Sequence, residues 1–596
     1  MRRPLPLAAL LALAAVLALP AAASASPALP EKSTEAIFLL RHPGGLERFV
    51  RSVSDPSSPS YRHYASVESL IARFAAPKEV RSQTLAWLAA RGLRGTVDAT
   101  GTFVTARLPA RQGERLLGGG ALAGRSGPAL GSVVPAGLRG AVSGVELLPG
   151  GKVFKSLEAN GGNPLPGAAR KKQHYSSILP HTGTAAGCAA GRAGPGAPAL
   201  PPFTPNQYLK AYGHTALHDR GYEGQGQTVA LVEVDGFRHR DIATFDHCFG
   251  VRTPAIRVVP VAPVRKPFSG GTETTLDLEV LSAAAPRLHR VDVFEGPGSE
   301  GGIALTAAAA LGSRGHHPDV ISISLGVCEP AYSEQLVYRR ALDNVFAIAA
   351  GAGISVLVAA GDTGSSGCRI DNAEGETTAL PIRTVSLPSS SPFVTAVGGT
   401  NLRLTAKNRI RSEIVWNDWP ALIGGGGGGV SLLLPHRPWY QQLHQLDRFG
   451  IGRIVPDIAG LADVFPGYAY FCTSPECASL AQAVPGWTSI GGTSAATPLM
   501  AAGIALGDQY AARHRQRPIG FANPLLYQLG ADPRTRRQVF TDVTEGNDDL
   551  GAMLPADVGG GSPLGCCSAR PGYDWASGWG SPNVLALARA ASLLAR

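Results

Sequence analysis

Residues 491–514 read GGTSAATPLMAAGIALGDQYAARH, and the rest of the chain can be interpreted outward from this stretch. Small residues flank Ser494 on both sides, so a substrate could approach its hydroxyl closely. The apolar helical run that follows places Ser494 at a helix N-terminus, near unpaired backbone N–H groups and the positive end of the helix dipole. An N-cap serine is a common structural feature, but the complete octapeptide Gly491–Pro498 is more specific and favours a nucleophile.

Apolar strand-like runs alternate with helical patterns on the N-terminal side of this segment. The predicted strands are Thr228–Val234, Val291–Phe294, Val320–Leu325 and Ile354–Ala359. The predicted helices between them are Glu273–Ala285, Ala304–Leu311 and Ser333–Ala350. Continuous apolar strands that alternate with helices predict an α/β fold, with a parallel sheet covered by helices on both faces.

A serine nucleophile needs a base, and two carboxylates stand at helical spacing in GTETTLDLEVLSAAAP. Glu273 and Asp277 are four residues apart and therefore share one face of the predicted helix. Such a pair is usually solvated, but this helix continues as Leu276, Leu278 and further apolar residues, which indicates burial. Paired buried carboxyls push each other's pKa values apart, so that one can accept a proton while the other holds one.

A third carboxylate follows an apolar strand in ISVLVAAGDTGSSGC, residues 354–368. Asp362 falls on the loop at the carboxyl end of this strand, where α/β proteins place their sites. The alternative is an ordinary turn aspartate before glycine.

Composition favours folded, exported domains and gives no support to nucleic-acid binding. Hydrophobic residues make up 44% and charged residues 16% of the 596 positions. The net charge is +10, but the tight basic cluster Arg170–Lys172 has no interleaved aromatic residues. Among the eight cysteines, Cys472 and Cys477 could close a small loop, whereas the adjacent Cys566 and Cys567 are expected to pair elsewhere, if at all.

Four regions are predicted along the chain. Residues 1–25 have the basic start, apolar run and small-residue cleavage site of a secretory signal peptide, and no later stretch is long and apolar enough to span a membrane. Residues 26–180 mix short helical and alternating patterns, as in a small α+β prodomain. Residues 181–202, HTGTAAGCAAGRAGPGAPALPP, cannot form a core and are predicted to be an exposed, cleavable linker before the domain of residues 203–596.

In this order, Glu273-x-x-x-Asp277, Gly-Asp362-x-Gly and Gly-Thr-Ser494-Ala-x-x-Pro resemble the sedolisin family, the kumamolisin-like serine-carboxyl peptidases. The stretches FTPNQYLKAYG, VISISLG and RIVPDIAG agree as well, and the N-terminal unit resembles the family's pro-kumamolisin-type activation domain. The resemblance implies a subtilisin-like parallel sheet flanked by helices, preceded by a small, ferredoxin-like prodomain. It also implies an enzyme that hydrolyses proteins or peptides and is made as a precursor inhibited by its own prodomain.

The resemblance assigns roles to individual residues. Ser494 would attack the scissile carbonyl, Glu273 would take its proton, and Asp277 would orient Glu273. Asp362, when protonated, would donate a hydrogen bond to the oxyanion, and Glu233 matches a supporting acid of some members. A carboxylate base remains usable in acid, where an unperturbed histidine is mostly protonated, so activity is expected at low pH.

The C-terminal region resembles the family's site for one calcium ion. The resemblance implies carboxylate ligands from Asp542 and Asp574 and backbone carbonyl ligands from Val543, Arg570 and Gly572. Oxygen ligands of this kind suit calcium. Arg570 departs from the family pattern, in which glycine is usual, and Leu325 stands where some members have tryptophan.

Two alternatives to a secreted acid endopeptidase remain. A tripeptidyl-peptidase of the same family would have a cleft closed at one end. A catalytically inactive secreted binding protein would be expected to lack at least one of Ser494, Glu273, Asp277 and Asp362, and all four are present. The hexaglycine Gly424–Gly429 resembles the family's substrate-edge loop, and no Gly-Lys-Ser/Thr follows it as in a phosphate loop.

Overall fold

The computed structural model describes residues 33–109, 134–148, 155–156, 159–160, 183–194, 200–312, 315–329, 336–366, 369–371, 377–379, 382–418, 424–479, 486–550 and 564–594. The predicted signal peptide lies outside these residues. No helix in the described ranges is both long and apolar enough to cross a membrane.

The N-terminal unit is a four-stranded antiparallel sheet with three helices. Its strands are β1 (Ser33–Leu40), β2 (Gly95–Val97), β3 (Phe103–Pro109) and β4 (Val142–Leu148). Its helices are α1 (Leu46–Ser54), α2 (Val67–Phe74) and α3 (Lys78–Ala89). The sheet order β2-β3-β1-β4 places β1 in the centre, and Phe38, Leu88 and Val104 belong to a core that is separate from the large one. This agrees with the expected small α+β prodomain.

The rest of the chain contributes helices and strands to the second, larger unit. Its helices are α4 (Ala189–Ala193), α5 (Pro205–Ala211), α6 (His214–His218), α7 (His239–Phe249), α8 (Glu273–Ala284), α9 (Glu300–Ala310), α10 (Leu336–Ala352), α11 (Thr493–Arg513), α12 (Asn523–Ala531), α13 (Pro533–Val539) and α14 (Val584–Leu594). The strands of the main sheet are β7 (Thr228–Glu233), β8 (Ile256–Pro260), β9 (Arg290–Glu295), β10 (Val320–Ile323), β12 (Ser355–Ala359), β16 (Thr395–Leu404), β17 (Ile410–Val415) and β20 (Ile458–Leu461). Shorter strands are β5 (Lys155–Ser156), β6 (Ala159–Asn160), β11 (Leu325–Cys328), β13 (Arg369–Asp371), β14 (Thr377–Ala379), β15 (Ser386–Leu387), β18 (Gly429–Val430), β19 (Ile454–Val455), β21 (Tyr468–Cys472), β22 (Gly486–Gly491), β23 (Phe540–Thr541) and β24 (Ser581–Pro582).

The main sheet has the order β17-β16-β12-β10-β7-β9-β8, and β20 also pairs with β16. All these pairings are parallel except that of β16 with β17. β7 and β12 are buried along their whole lengths, as expected of strands covered on both faces. Helices α8 and α11 pack together against the sheet, while α9 and α10 pack together elsewhere on it. The α/β fold predicted from the alternating pattern is therefore confirmed.

The prodomain sits on α9 and α10, which its β1, β4, α1 and α2 contact. Glu35 of β1 accepts a hydrogen bond from the Ser299 hydroxyl, at 2.9 Å, before α9. Glu146 of β4 accepts two hydrogen bonds from backbone N–H groups in the first turn of α10, those of Val337 at 2.8 Å and Tyr338 at 3.0 Å. Both side chains thus lie at the N-terminal ends of helices of the larger unit.

Two short strands near the end of the predicted prodomain pair with the larger unit. β5 runs antiparallel to β11, with Ser156 opposite Leu325. β6 runs antiparallel to β22, with Ala159 opposite Gly491. The prosegment backbone is therefore hydrogen-bonded both to the strand that follows Ser324 and to the strand that precedes Ser494.

Residues 183–194 of the predicted linker are mostly exposed, but they are attached to the larger unit. Cys188 forms a disulfide with Cys248 of α7, and the Thr184 N–H donates to the Asn408 side chain at 2.6 Å. Cys472 and Cys477 form the expected small loop. The expectation for the adjacent pair is wrong, because Cys566 and Cys567 are bonded to each other, with Cys567 in the left-handed region at φ 72°.

Candidate active site

Ser494 lies in the first turn of α11, and its side chain is fully buried. Helix α11 follows Gly492, whose φ of 101° is a conformation that favours glycine. The Ser494 hydroxyl donates to the backbone oxygen of Ser324 at 3.1 Å. Pro498 has no N–H to bond the carbonyl four residues earlier, which leaves the Ser494 carbonyl to accept from the Ser324 hydroxyl at 3.3 Å.

The Ser324 hydroxyl also connects the nucleophile to α8. Its oxygen lies 3.0 Å and 2.9 Å from the two carboxylate oxygens of Asp277. Glu273 begins the same helix one turn earlier, and both acids have no exposed surface. The structure thus brings Ser494 and Asp277 together through Ser324, with Glu273 on the same helix.

Asp235 fixes the start of α8. Its carboxylate accepts from the backbone N–H groups of Glu273 and Thr274, both at 3.1 Å, and from the Thr274 hydroxyl at 2.6 Å. Burial raises the pKa of Asp235, although these hydrogen bonds oppose the rise. The sequence analysis missed this residue, and the available signal was an acid two positions after β7, at the carboxyl edge of the sheet.

Glu233 is the last residue of β7 and is fully buried beside Asp277. Burial, followed by the negative charge of Asp277, raises the pKa of Glu233 well above its usual range. The Asp277 carboxyl raises the pKa of Glu233 through its charge and through a hydrogen bond, and such a bond between two carboxyl groups needs a proton. Glu233 is therefore the protonated member and Asp277 the acceptor.

Asp362 lies on the loop after β12, next to the start of α11. One of its carboxylate oxygens accepts from the Thr493 N–H at 2.8 Å and from the Thr493 hydroxyl at 2.7 Å. The Thr493 hydroxyl in turn accepts from the Gly361 N–H at 3.1 Å. These contacts bond Asp362 to Thr493, the residue directly before Ser494 in α11.

The glycine-rich loop is fastened to the Asp362 loop by backbone hydrogen bonds. Gly425 N–H donates to the Asp362 carbonyl at 3.1 Å, and Gly427 N–H donates to the Gly361 carbonyl at 2.7 Å. A Cβ on Gly427 would overlap the Ala360 carbonyl, and one on Gly428 would overlap the Trp575 carbonyl. Glycine is needed here because the two backbones lie in contact.

The five predicted calcium ligands lie on two segments that contact each other. Asp542 accepts from the Gly572 N–H at 2.9 Å through one oxygen, and its other oxygen is buried without a hydrogen-bond partner. One oxygen of Asp574 accepts from the Arg570 N–H at 2.8 Å, and burial raises the pKa of Asp574 to about 6. Val543 is fully buried, and Arg570 is not among the residues with positive φ, so its departure from glycine costs no backbone strain.

This arrangement fits a calcium ion bound by two carboxylates and backbone carbonyls. The orphaned buried oxygen of Asp542 is the kind of atom that a cation would satisfy. In the described part of the chain no three His, Cys, Asp or Glu side chains form a metal cluster, so backbone carbonyls would have to complete the shell.

Comparisons with known proteins agree with this architecture. The family model "Pro-kumamolisin, activation domain" matches residues 21–120, and "Subtilase family" matches residues 282–516, a range that contains Asp362 and Ser494. Kumamolisin from Bacillus sp. (strain MN-32) is 33% identical over 398 residues, which are 65% of this chain and 63% of kumamolisin. Tripeptidyl-peptidase 1 from Rattus norvegicus is 30% identical over 586 residues, which are 94% of this chain and 91% of that protein.

A solved structure of Pseudomonas sedolisin, a serine-carboxyl proteinase complexed with two molecules of pseudo-iodotyrostatin, has the same fold. The TM-score is 0.52 at 24% identity, and the match covers 68% of this chain and 98% of that one. The full-length similarity to a peptidase, the activation domain and the subtilisin-like sheet lead to one conclusion: the chain belongs to the sedolisin family of serine-carboxyl peptidases.

Proposed function

We propose that this protein is a secreted, acid-acting endopeptidase that hydrolyses peptide bonds with Ser494 as nucleophile and Glu273 as general base. Two contacts of Ser324 carry the proposal: its backbone oxygen accepts from the Ser494 hydroxyl, and its own hydroxyl donates to Asp277. They hold a buried helix-start serine beside the helix of the paired acids. Serine peptidases need such a base, and carboxylates can act at low pH.

In the proposed reaction the Ser494 oxygen bonds to the scissile carbonyl carbon while its proton passes to Glu273. Asp277 accepts the Glu233 proton in a hydrogen bond and keeps its own charge beside Glu273. The carbonyl oxygen becomes an oxyanion and receives a hydrogen bond from protonated Asp362. Glu273 then returns the proton to the leaving amine as the C–N bond breaks, and water hydrolyses the acyl-enzyme by the same route.

The prosegment strands support inhibition by occupancy of the cleft. β5 and β6 pair with β11 and β22, which lie beside Ser324 and before Ser494. A substrate strand bound in the same way would present its backbone along these edges, as in other β-addition complexes. The precursor would therefore be inactive until the prosegment leaves.

A calcium ion held by Asp542 and Asp574 with the carbonyls of Val543, Arg570 and Gly572 would brace the C-terminal part of the peptidase domain. The orphaned oxygen of Asp542 supports this ion. Its role would be structural, since it would join segments separated by a long loop, and no catalytic step is assigned to it.

The second candidate activity is that of a tripeptidyl-peptidase. The similarity to tripeptidyl-peptidase 1 spans 91% of that protein, whereas the kumamolisin match spans 63% of kumamolisin. Peptides with a free or an acetylated amino terminus distinguish the two. An endopeptidase cleaves both, whereas a tripeptidyl-peptidase cleaves only the free peptide and releases three-residue products.

Purified precursor, incubated between pH 3 and pH 7 with a peptide library, tests the main proposal. Cleavage in acid should disappear in Ser494→Ala and in Glu273→Gln, while Asp219→Asn, at an exposed acid, should behave like the parent. Near-normal turnover of Glu273→Gln would contradict the proposed base, because an amide cannot accept the serine proton.

A further inference from the structure

A second pair of buried acids, Asp418 and Asp463, follows two strands that pair with β16. Asp418 follows β17 and Asp463 follows β20, and their exposed fractions are only 8% and 4%. Val415 of β17 and Leu461 of β20 both pair with Thr400 of β16, so the acids that follow these strands lie close together. Besides burial, a hydrogen bond with the Asp463 carboxyl raises the pKa of Asp418. Neither residue takes part in the proposed reaction, and two buried carboxylates in contact would repel each other strongly.

The hydrogen-bond donors around the pair show which member holds the proton. Both oxygens of Asp463 already accept from the protein: Oδ1 from the Phe465 N–H at 2.6 Å and Oδ2 from the Asn401 amide. Asp463 is therefore the carboxylate. Asp418 accepts through Oδ2 from the Trp416 indole N–H at 2.6 Å, and the bond to Asp463 needs a proton that only Asp418 can supply.

The pair connects the two segments that position the reacting groups. The residue before Asp463 is Ala462, and its carbonyl accepts from the Gly492 N–H at 2.6 Å. Gly492 lies two residues before Ser494. The Asp418 N–H donates to the Gly424 carbonyl at 2.9 Å, at the start of the glycine-rich loop. That loop bonds the Asp362 carbonyl through Gly425. A break between the two aspartates would thus loosen the nucleophile turn from the Asp362 loop.

We propose that Asp418 and Asp463 share one proton and act as positioning residues, which hold the nucleophile turn against the Asp362 loop only while that proton is present. The link to catalysis rests on the proposed function, whereas the shared proton itself does not.

The direction of the pH dependence follows from burial and charge. Burial, followed by the charge of Asp463, raises the pKa of Asp418 well above its usual range, and burial also raises the pKa of Asp463. Asp362 is the titratable group that faces the pair from the loop after β12, and its ionisation pushes the pKa of Asp418 in the same direction. Trp416, directly after β17, and Asn401 of β16 also contact the pair, and both are neutral.

The folded protein therefore keeps a proton that the unfolded chain releases at about pH 4. Stability from the pair is complete in acid and falls as the pH rises through the raised pKa of Asp418. Above that pH two charges would face each other in a buried site.

Two variants, each of which replaces one carboxyl group of the pair by an amide, test the proposal. In Asp418→Asn the amide oxygen can accept from Trp416 and the amide N–H replaces the shared proton at every pH. In Asp463→Asn the new NH2 group must point at a donor, either the Asn401 amide or the Phe465 N–H. One of these two hydrogen bonds is therefore lost. Melting temperatures are measured from pH 4 to pH 8 in full-length Ser494→Ala protein, and kcat/KM profiles are measured in the active protein.

Asp418→Asn should melt with a smaller decline between pH 4 and pH 8 than its parent, and should move the alkaline limit of kcat/KM upward by about one pH unit or more. Asp463→Asn should lose stability at every pH or fail to fold. The proposal is overturned if Asp418→Asn shows the parent's pH dependence in both measurements, fails to fold, or behaves like Asp463→Asn. Because the melting measurement uses inactive protein, it stands even if the proposed peptidase activity is wrong.

Discussion

Among single residues, Glu233 is the one at which substitutions best separate the effect of a negative charge from that of a hydrogen-bond donor. Its raised pKa means that it is protonated beside Asp277. Glu233→Gln keeps a donor to Asp277, so it should retain kcat/KM within about threefold, whereas Glu233→Ala should lose roughly 10-fold to 100-fold, the usual worth of a hydrogen bond to a charged group. The kinetics at pH 4 check this. Equal losses in both variants would show that Glu233 acts through its negative charge.

Ser324 and Ser322, two positions apart, serve as a test residue and its matched control. The Ser324 hydroxyl bonds Asp277, whereas the Ser322 hydroxyl is buried without a hydrogen-bond partner. Ser324→Ala should lower kcat by roughly 10-fold to 100-fold, since a hydrogen bond to a charged group is worth about 1.5–3 kcal/mol, while Ser322→Ala should leave kcat unchanged. A comparable loss in both variants would assign the effect to packing.

These residues also mark what could be predicted from the sequence. Ser494, Glu273, Asp277 and Asp362 stand in local patterns whose chemistry is visible in a few neighbouring letters. Ser324 matters because it meets residues 47 and 170 positions away, and no local pattern contains that information. Asp418 and Asp463 are missed for the same reason, since each looks like a turn aspartate until the fold joins them.

At the scale of elements, most strands and helices lie where the apolar patterns predict them, and the exception is informative. The pattern predicts one strand over Val320–Leu325, whereas the structure has β10 and β11 with a break at Ser324. At that break the Ser324 backbone oxygen turns to accept from Ser494 instead of joining a strand ladder. Apolar periodicity reports burial, and it cannot report where a carbonyl must leave the sheet.

The proposed calcium ion should stabilise the segments that carry Asp542 and Asp574. Bound calcium at 100 times its dissociation constant would stabilise the folded domain by about 2.7 kcal/mol, so a chelator should lower the melting temperature by several degrees. Asp542→Asn should remove this response, because it keeps the contact to Gly572 but loses a carboxylate charge.

Asp574 is the poorer choice for this test, since its carboxylate also accepts from Arg570, Ala576 and Ser577 and would destabilise its own loop when removed. Asp219→Asn serves as the exposed control and should keep the full response to the chelator. An identical melting curve with and without chelator in the parent would contradict the ion.

For the whole molecule, two of the acidic side chains that reach across the prodomain interface, Glu68 and Glu146, respond to acid in opposite directions. The Glu68 carboxylate bonds His317 at 2.9 Å, which lowers the pKa of Glu68 to about 2. This contact is complete above the ordinary pKa and is lost as the pH falls toward 2. Burial raises the pKa of Glu146 to about 8, so its contact with α10 is favoured in acid and weakens as the pH rises toward 8.

Release of the prodomain in acid should therefore depend on Glu68 and not on Glu146. Glu68→Gln should move the midpoint of self-processing to a higher pH, because this variant lacks the charged Glu68 partner of His317 at every pH. Glu146→Gln, which keeps an acceptor for the helix N–H groups, should leave the midpoint unchanged. Gel analysis of precursor after timed exposure from pH 3 to pH 7 measures both. A shift for Glu146→Gln alone would reverse the assignment.

The position of the first cut follows from how the prosegment crosses the molecule. β5 pairs with the strand that follows Ser324 and β6 with the strand that precedes Ser494, so self-cleavage should begin within or next to residues 155–160. The sequence alone favours residues 181–202 for their lack of core-forming side chains, but Cys188 is bonded to Cys248 and Thr184 is held by Asn408. Trimming after Cys188 would require this attached segment to leave the domain surface and enter the cleft.

Mass spectrometry of the reduced mature protein should find an amino terminus before residue 183, and Ser494→Ala precursor should remain uncut. A mature chain that starts after Cys188, with no earlier intermediate, would show that the paired strands are not the substrate of the first turnover.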